Sequence, residues 1–445
     1  VRLAVWSPLP PSPSGIADYV AEALPALAER VEVTVVVEDP ARVLPELRDR
    51  FALARPGEEG EPDLDVYHLG NSPAHAYVYR ACARRPGVAF LHEWSLHHLV
   101  LSETVERGDA DLYLRLMRRA YGQTGTFVGR QVARGLGGDL LPARFPLNEP
   151  VLENSLAVVT LTRTVRERAQ RALGGRPTLH LPHHVSLPPG AALPRDEARR
   201  ILGLPADVPI ITAPGLGTAA KRLEVAVRVV SRLRRRLGNL LFVVAGALDE
   251  RLALRDSPAA REMGASLVVT GRLALVDFVR HVCAADAILA LRFPSHGEIS
   301  GALVRTLGVG RPALVTAGTP ASEEFPEGVV VPIDPGPYEE AEMAAALQRL
   351  LADRSLAERV GACARAYVAS VHALPATVER LVLFLEEVAA GKATLLARLE
   401  AAHTEADGLF RYLVDEALPV ARELGLAGLP PGVESLLREL AGARR

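Results

Sequence analysis

Short apolar runs alternate with amphipathic segments through the first 185 residues. "RLAVWS" (2–7), "VEVTVVVE" (31–38), "DVYHLG" (65–70) and "GVAFLHE" (87–93) are apolar runs that end on polar or turn residues, the pattern of buried strands. Between the first two, "IADYVAEALPALAER" (16–30) returns to apolar positions every three or four residues, which predicts a helix. "SLAVVTLT" (155–162) and "TLHLPHHV" (178–185) close the series. Strands alternating with helices predict a parallel, doubly wound sheet. Residues 100–150 break the rhythm. They are charged and helical and end in "PARFPLNEP", so a helical insertion is expected there.

The Pro-rich stretch "SLPPGAALPRDEARRILGLPADVP" then leads into a second round of the same pattern. "IITAPG" (210–215), "LLFVVAGA" (240–247), "SLVVTG", "DAILALRF" and "PALVTA" are predicted strands with helices between them, and 338–370 reads as two helices. The expected fold class is α/β: two Rossmann-like domains facing a cleft, 1–185 and 186–385. A helical, amphipathic extension over 386–445 packs back on the protein or joins two copies.

Composition narrows the picture. Hydrophobic residues make up 49% and aromatics 5%, so the core is built from Ala, Val and Leu, as suits buried parallel strands. A net charge of -2 argues against a nucleic-acid partner. The "RLRRR" run at 232–236 reads first as a solvated helix face and second as a peripheral contact with an anionic membrane surface. Cys82, Cys283 and Cys363 are too far apart for a metal site and read as small buried residues in a reducing cytoplasm. The opening "VRLAVW" reads as a strand rather than a signal peptide, and no apolar run reaches the roughly 18 residues of a membrane span.

In facing doubly wound sheets, ligands lie at strand C-termini and helix starts. Four such loops carry unusual residues. In "SPLPPSPSGIADY", Gly15 allows close approach to a helix start; without G-x-G-x-x-G a dinucleotide reading is weak. In "FLHEWSLHHL", His92 follows a strand and can bond a sugar hydroxyl, or simply pack; Asn71, Ser72 and His75 occupy a similar loop. In "APGLGTAAKRLEVAV", Gly215 precedes Lys221, which with Lys392 makes up all the lysine in the chain. Placed at a helix start, Lys221 opposes the helix dipole unless an anion such as a diphosphate joins it. In "LRFPSHGEISGALVRTLGVGRPALV", Ser300 and Gly301 open a helix, and Glu298 either accepts from sugar hydroxyls or caps that helix.

Together these loops resemble the retaining glycosyltransferases of GT-B fold, glycosyltransferase family 4 in particular, over roughly residues 1–385. "FPSHGEISGALVRTLGVGRPALV" is similar to that family's "P-S-x-x-E-G-F-G-L-P…E-A-M-A-x-G-x-P-V" block, and "GLGTAAKRLEVAV" to its "G-R-x…K-G" block. The resemblance implies a bacterial cytoplasmic enzyme of glycan biosynthesis, soluble or peripheral at the inner membrane face, with a homo-oligomer left open. It would move a hexosyl group from a nucleotide-sugar to a glycan, lipid-linked or small-molecule acceptor. It implies no cofactor and no metal. Lys221, Glu298 and His92 would be catalytic, and Gly15, Gly215, Ser300, Gly301 and Arg305 would line the donor. Two positions depart from the family pattern. Leu216 stands where the family has Arg, and Thr306 or Arg305 stands where it has a second, ribose-binding Glu. Those departures support an alternative: a catalytically weakened binding or partner subunit of the same fold.

Overall fold

The computed structural model describes residues 1–250, 252–426, 428–430, 432–433 and 435–437. The first sheet holds β1 (Arg2–Trp6), β2 (Glu32–Val36), β3 (Ala52–Ala54), β4 (Leu64–Leu69), β5 (Gly87–Leu91), β6 (Ser155–Thr160) and β7 (Thr178–His180). All pairings are parallel, in the order β3-β2-β1-β4-β5-β6-β7. The second holds β8 (Ile210–Pro214), β9 (Leu241–Ala245), β10 (Leu267–Val269), β11 (Ala287–Leu289), β12 (Ala313–Thr316) and β13 (Val331–Ile333), also parallel, in the order β10-β9-β8-β11-β12-β13. Both are Rossmann-like. Every residue of β4, β5, β6, β8, β11 and β12 is buried, as expected where helices cover both faces of a parallel sheet.

Around the first sheet lie α1 (Gly15–Ala28), α2 (Pro45–Arg48), α3 (Ala76–Cys82), α4 (His97–Glu103), α5 (Ala110–Ala133), α6 (Leu141–Arg144), α7 (Glu149–Glu153) and α8 (Arg163–Leu173). Helices α4 to α7 form the expected insertion between β5 and β6. Around the second sheet lie α9 (Arg195–Leu202), α10 (Leu223–Leu237), α11 (Pro258–Met263), α12 (Leu275–Ala284), α13 (Gly301–Val309), α14 (Pro320–Glu323), α15 (Glu339–Ala352) and α16 (Arg354–Val371). The short strands β3 and β13 escape the periodicity argument, since three residues show no alternation.

The C-terminal helices α17 (Leu374–Ala390) and α18 (Lys392–Glu423) return to the first domain. Val378, Leu381, Leu385, Leu395 and Leu399 join the apolar cluster of Leu3, Val5, Leu24 and Leu27, and Lys392 Nζ donates to Asp63 O at 2.7 Å. That cluster continues into Leu303, Val304 and Leu307 of α13, so one apolar body runs through both domains. The chain thus passes between domains twice, near 185 and near 373. The two passages touch: Val185 N donates to His372 O at 2.9 Å, and His372 Nδ1 to His183 O at 2.7 Å. Cys82 and Cys283 are buried and Cys363 is exposed. Among the described residues no helix is long and apolar enough to cross a membrane.

Two of the four arginines in the run on α10, and Arg228 one turn before it, are engaged in ion pairs. Arg228 and Arg232 pair with Glu340 of α15, and Arg235 with Glu262 of α11 at 2.7 Å. Three of the helix's cations are therefore matched by acids on its neighbours.

Candidate functional site

Each sheet reverses its strand order once, between β1 and β4 in the first and between β8 and β11 in the second. Loops diverge at such a point and leave a crevice. The sequence candidates fall on these loops and on the one after β5.

In the first domain a relay of side chains ties the three loops together. Ser14 caps α1, accepting from Ile16 N at 3.2 Å, and its Oγ lies 3.2 Å from His75 Nε2. His75 Nδ1 donates to His68 O at 2.9 Å, which leaves Nε2 of the neutral ring to accept from Ser14. His68 Nδ1 lies 2.9 Å from His92 Nε2. His92 is only 7% exposed and stacks on Phe90, with the Tyr19 ring edge-on to it at 4.9 Å. His183 and His184, on the first passage between domains, close on Tyr19 from the other side. Burial pulls His68 down to about 3, His75 to about 4 and His183 to about 3, and holds His92 and His184 well below the ordinary imidazole value. His92 is therefore a neutral, packed imidazole. Gly15, at the start of α1, has no protein atom within 4 Å of where a Cβ would stand.

Asn71 serves the scaffold. Its side-chain oxygen accepts from Leu99 N at 3.0 Å, capping α4, and its own N–H donates to Glu93 Oε1 at 2.8 Å. Glu93 faces the second domain. Burial first, and then Glu298 opposite, push its carboxyl up to about 7, against the pull of Asn71 N–H and Arg292.

In the second domain the loop after β8 wraps around Lys221. The sequence places Lys221 at a helix start, but the structure ends a single 3₁₀ turn there (Ala219–Lys221), and α10 begins at Leu223. Arg222, at φ +54°, turns the chain between them and pairs with Glu339 through its Nε at 2.6 Å. This reversal sends Lys221 inward, where Nζ donates to Pro214 O at 2.5 Å. Gly215, at φ +82°, is needed twice over: the conformation suits glycine, and a Cβ there would stand 2.9 Å from Lys221 Nζ. The same Cβ would be 3.5 Å from Ala302 Cβ, which puts Gly215 and Lys221 beside the start of α13. Burial, and then the nearby Arg292 guanidinium, pull the Lys221 ammonium down to about 7.

Ser300 is the N-cap of α13 without capping it through its side chain. Gly301 follows, where a Cβ would lie 3.1 Å from both His183 Nε2 and Arg305 Nη1. Glu298 does not cap the helix either. Its Oε2 accepts from His296 N at 2.7 Å and Ser295 Oγ at 3.2 Å, and its Oε1 lies 2.9 Å from Arg292 Nε. The loop is pinned to the first domain by Trp94 N and Ser95 N, which donate to His296 O at 2.7 and 3.1 Å.

Lys221, Gly215, Ser300 and Gly301 are thus brought together, with Glu298 joined to them through Arg292. Arg305, expected beside a phosphate, is engaged elsewhere: its guanidinium pairs with Glu22 of α1 and clasps the two domains. Thr306 is fully buried and donates to Ala302 O at 2.9 Å, so it presents nothing to a ligand. Sequence reasoning passes over Arg292, Glu93 and His183 as site residues. Arg292 had a signal, a cation at the end of an apolar strand run. His183 and Glu93 acquire their place only through the domain interface.

Among the described residues no three His, Cys, Asp or Glu side chains are grouped to hold a metal ion. The site can receive an anion on a half-buried ammonium and a helix start, with a carboxylate held nearby.

No protein-family profile matches the chain. It is 29% identical over 198 residues to the alpha-D-kanosaminyltransferase of Streptomyces kanamyceticus, a match that spans 44% of this chain and 49% of that protein, about half its length. Among solved structures it is similar to the sucrose-phosphate synthase of Thermosynechococcus elongatus, with TM-score 0.61 and 17% identity over 88% of this chain and 99% of that one. It is also similar to Anabaena HepE in complex with UDP and glucose, with TM-score 0.57 and 14% identity over 87% and 99%. At these identities the likeness concerns the fold, and the fold is GT-B.

Proposed function

We propose that this chain is a glycosyltransferase that moves a hexosyl group from a nucleotide-sugar to an acceptor, with retention at the anomeric carbon and without a metal ion. One observation carries the reading: Lys221, Gly215 and the start of α13 converge at the strand-order reversal of the second sheet, with Arg292 beside Lys221 and bonded to Glu298. The partial similarity to a kanosaminyltransferase and the fold shared with a structure holding UDP and glucose support it.

In this reading the departing diphosphate settles on the Lys221 ammonium and the open N–H groups of α13, which stabilise charge as it develops. A carboxylate beside a diphosphate would repel it. Arg292 offsets that, and Glu298 is left to accept from donor-sugar hydroxyls. Glu93, poised near neutrality on the first-domain side, is suited to take the proton of an acceptor hydroxyl. His92, neutral and packed, would shape the wall that meets the sugar, with Gly15 bordering the open side.

The test is thermal unfolding of the purified chain with UDP-, GDP- and ADP-sugars, followed by assay of nucleotide release. A raised melting temperature with one donor and turnover with an acceptor are expected. No shift with any donor would overturn the reading. A second reading, a weakened partner subunit of the same fold, draws on Leu216, 55% exposed where a cation is expected, and on buried Thr306. Donor binding without any nucleotide release would favour it.

A further inference from the structure

A cavity of about 870 Å³ lies in the second domain at the end of the sheet where β8, β11 and β12 begin, opposite the Lys221 end. The stretch 192–195 leading into α9, the loop before β8, the loop between α13 and β12 and the first turns of α16 form its walls. Five guanidiniums line it, those of Arg195, Arg199, Arg311, Arg354 and Arg365, against three carboxylates, those of Asp207, Asp286 and Glu358. The chain as a whole carries the opposite sign, -2.

The acids are largely committed. Asp286 accepts from Arg195 Nη1 at 2.8 Å, and from Arg199 Nη2 and Ile210 N at 2.7 Å each. Glu358 accepts from Arg354 Nε at 2.8 Å. Among the described residues neither the Arg311 nor the Arg365 side chain has a hydrogen bond or ion pair, and Arg311 Nε is buried without a partner; Asp286 acts on Arg311 through space. Arg365 lies over the same loop, its Nε 3.2 Å from where a Cβ on Gly310 would stand. Burial lowers the Arg311 pKa, with Arg195 and Arg199 adding repulsion and Cys283 and Asp286 opposing it. A half-buried guanidinium with an unpartnered, buried Nε, such as that of Arg311, favours an anion beside it.

We infer that this cavity is a binding site for a phosphomonoester, whose dianion is received by Arg311 and Arg365 while the remaining volume holds the group that carries it. Planar guanidiniums match phosphate oxygens in pairs, and two unpaired ones match the two charges of a phosphomonoester. The cavity is several times larger than a phosphate alone. The carrier is a small soluble metabolite or the headgroup of a phosphorylated lipid, and the chemistry at the guanidiniums is the same for both. The site lies at the far end of α13 from Gly301, about 13 Å along a nine-residue helix, and is independent of the glycosyltransferase reading.

The experiment uses the full chain at low salt, with inorganic phosphate, glycerol 3-phosphate, and phosphatidylcholine vesicles with and without phosphatidic acid. Calorimetry and vesicle flotation are read for wild type, Arg365→Gln, Arg311→Gln/Arg365→Gln and Lys221→Met. Saturable binding of glycerol 3-phosphate, weakened at least about tenfold in the double variant and kept in Lys221→Met, is expected, since each lost charge-assisted bond is worth about that much. Flotation with phosphatidic acid vesicles and no response to glycerol 3-phosphate, again lost in the double variant, assigns the lipid source. Arg365 is exposed, so Arg365→Gln alone, weaker than wild type, carries the test if the double variant does not fold. No binding of any probe up to about 10 mM, or binding lost in Lys221→Met and kept in the Arg365 variant, overturns the inference.

Discussion

At the scale of single residues, two groups hold their protons near neutrality, one on each side of the domain interface. Lys221 is drawn down to about 7 by burial and by Arg292. A diphosphate prefers the ammonium, so donor affinity should be full below that value and fall as pH rises through it. Calorimetric titration of the effective nucleotide-sugar from about pH 6 to pH 9 reads this; a flat dependence would remove Lys221 from the contact. Lys221→Met should lower turnover by about two to three powers of ten, the scale of one contact made to developing charge. Glu93, raised to about 7, acts in the opposite sense if it accepts a proton: activity should rise as pH passes through that value. Glu93→Gln should remove this ascending limb of the kcat profile and leave donor affinity intact. An unchanged limb assigns the titration to another group. The sequence marks Lys221 because lysine is rare in this chain. It does not mark Glu93, whose raised proton affinity comes first from burial and then from Glu298, some two hundred residues away in the chain.

At the scale of elements, the loop between β11 and α13 carries the most specificity. Gly297 sits at φ +92°, and a Cβ there would stand 2.6 Å from Trp94 Cβ and 3.0 Å from Trp94 N. Gly297→Ala should therefore cost about 1–3 kcal/mol, from backbone strain and the displaced contact, read as a lower denaturation midpoint. A midpoint within error of wild type would mean that the loop does not hold this position in solution. The strands around the site were legible because their apolar runs are unambiguous. The turn at Lys221 was not, because no pattern rule foresees Arg222 in a left-handed conformation. Arg305 is a related case. The resemblance sets it where the family has a ribose-binding Glu, and only the fold shows that α1 of the other domain brings Glu22 to its guanidinium.

At the scale of the whole molecule, the histidines around Tyr19 join the domains at a cost in acid. Unfolded imidazoles titrate near about 6.5. In the fold, burial lowers His68, His75 and His183 to about 3–4 and His92 and His184 well below normal. Between those values the unfolded chain binds more protons, so stability is complete above about pH 6.5 and is lost as pH falls below it. The loss is up to about 1.4 kcal/mol per pH unit for each group, shared because the rings touch. Melting temperatures from about pH 7.5 down to pH 5.5 should fall steeply; a level curve would show that the cluster takes up protons without opening.

The side-by-side passages at Val185 and His372 have a mechanical consequence. Two bodies fastened by two parallel threads, themselves laced together, can swing about that line but cannot slide along it. In such a swing, atoms beside this axle, His183 and Tyr19 among them, would keep their neighbours, whereas the contact of Trp94 N with His296 O would have to break. Spin labels on the exposed residues Arg84 and Arg255 should report two separations in the free protein and one with donor bound, and labels on Glu29 and Glu379 should report the same separation in both.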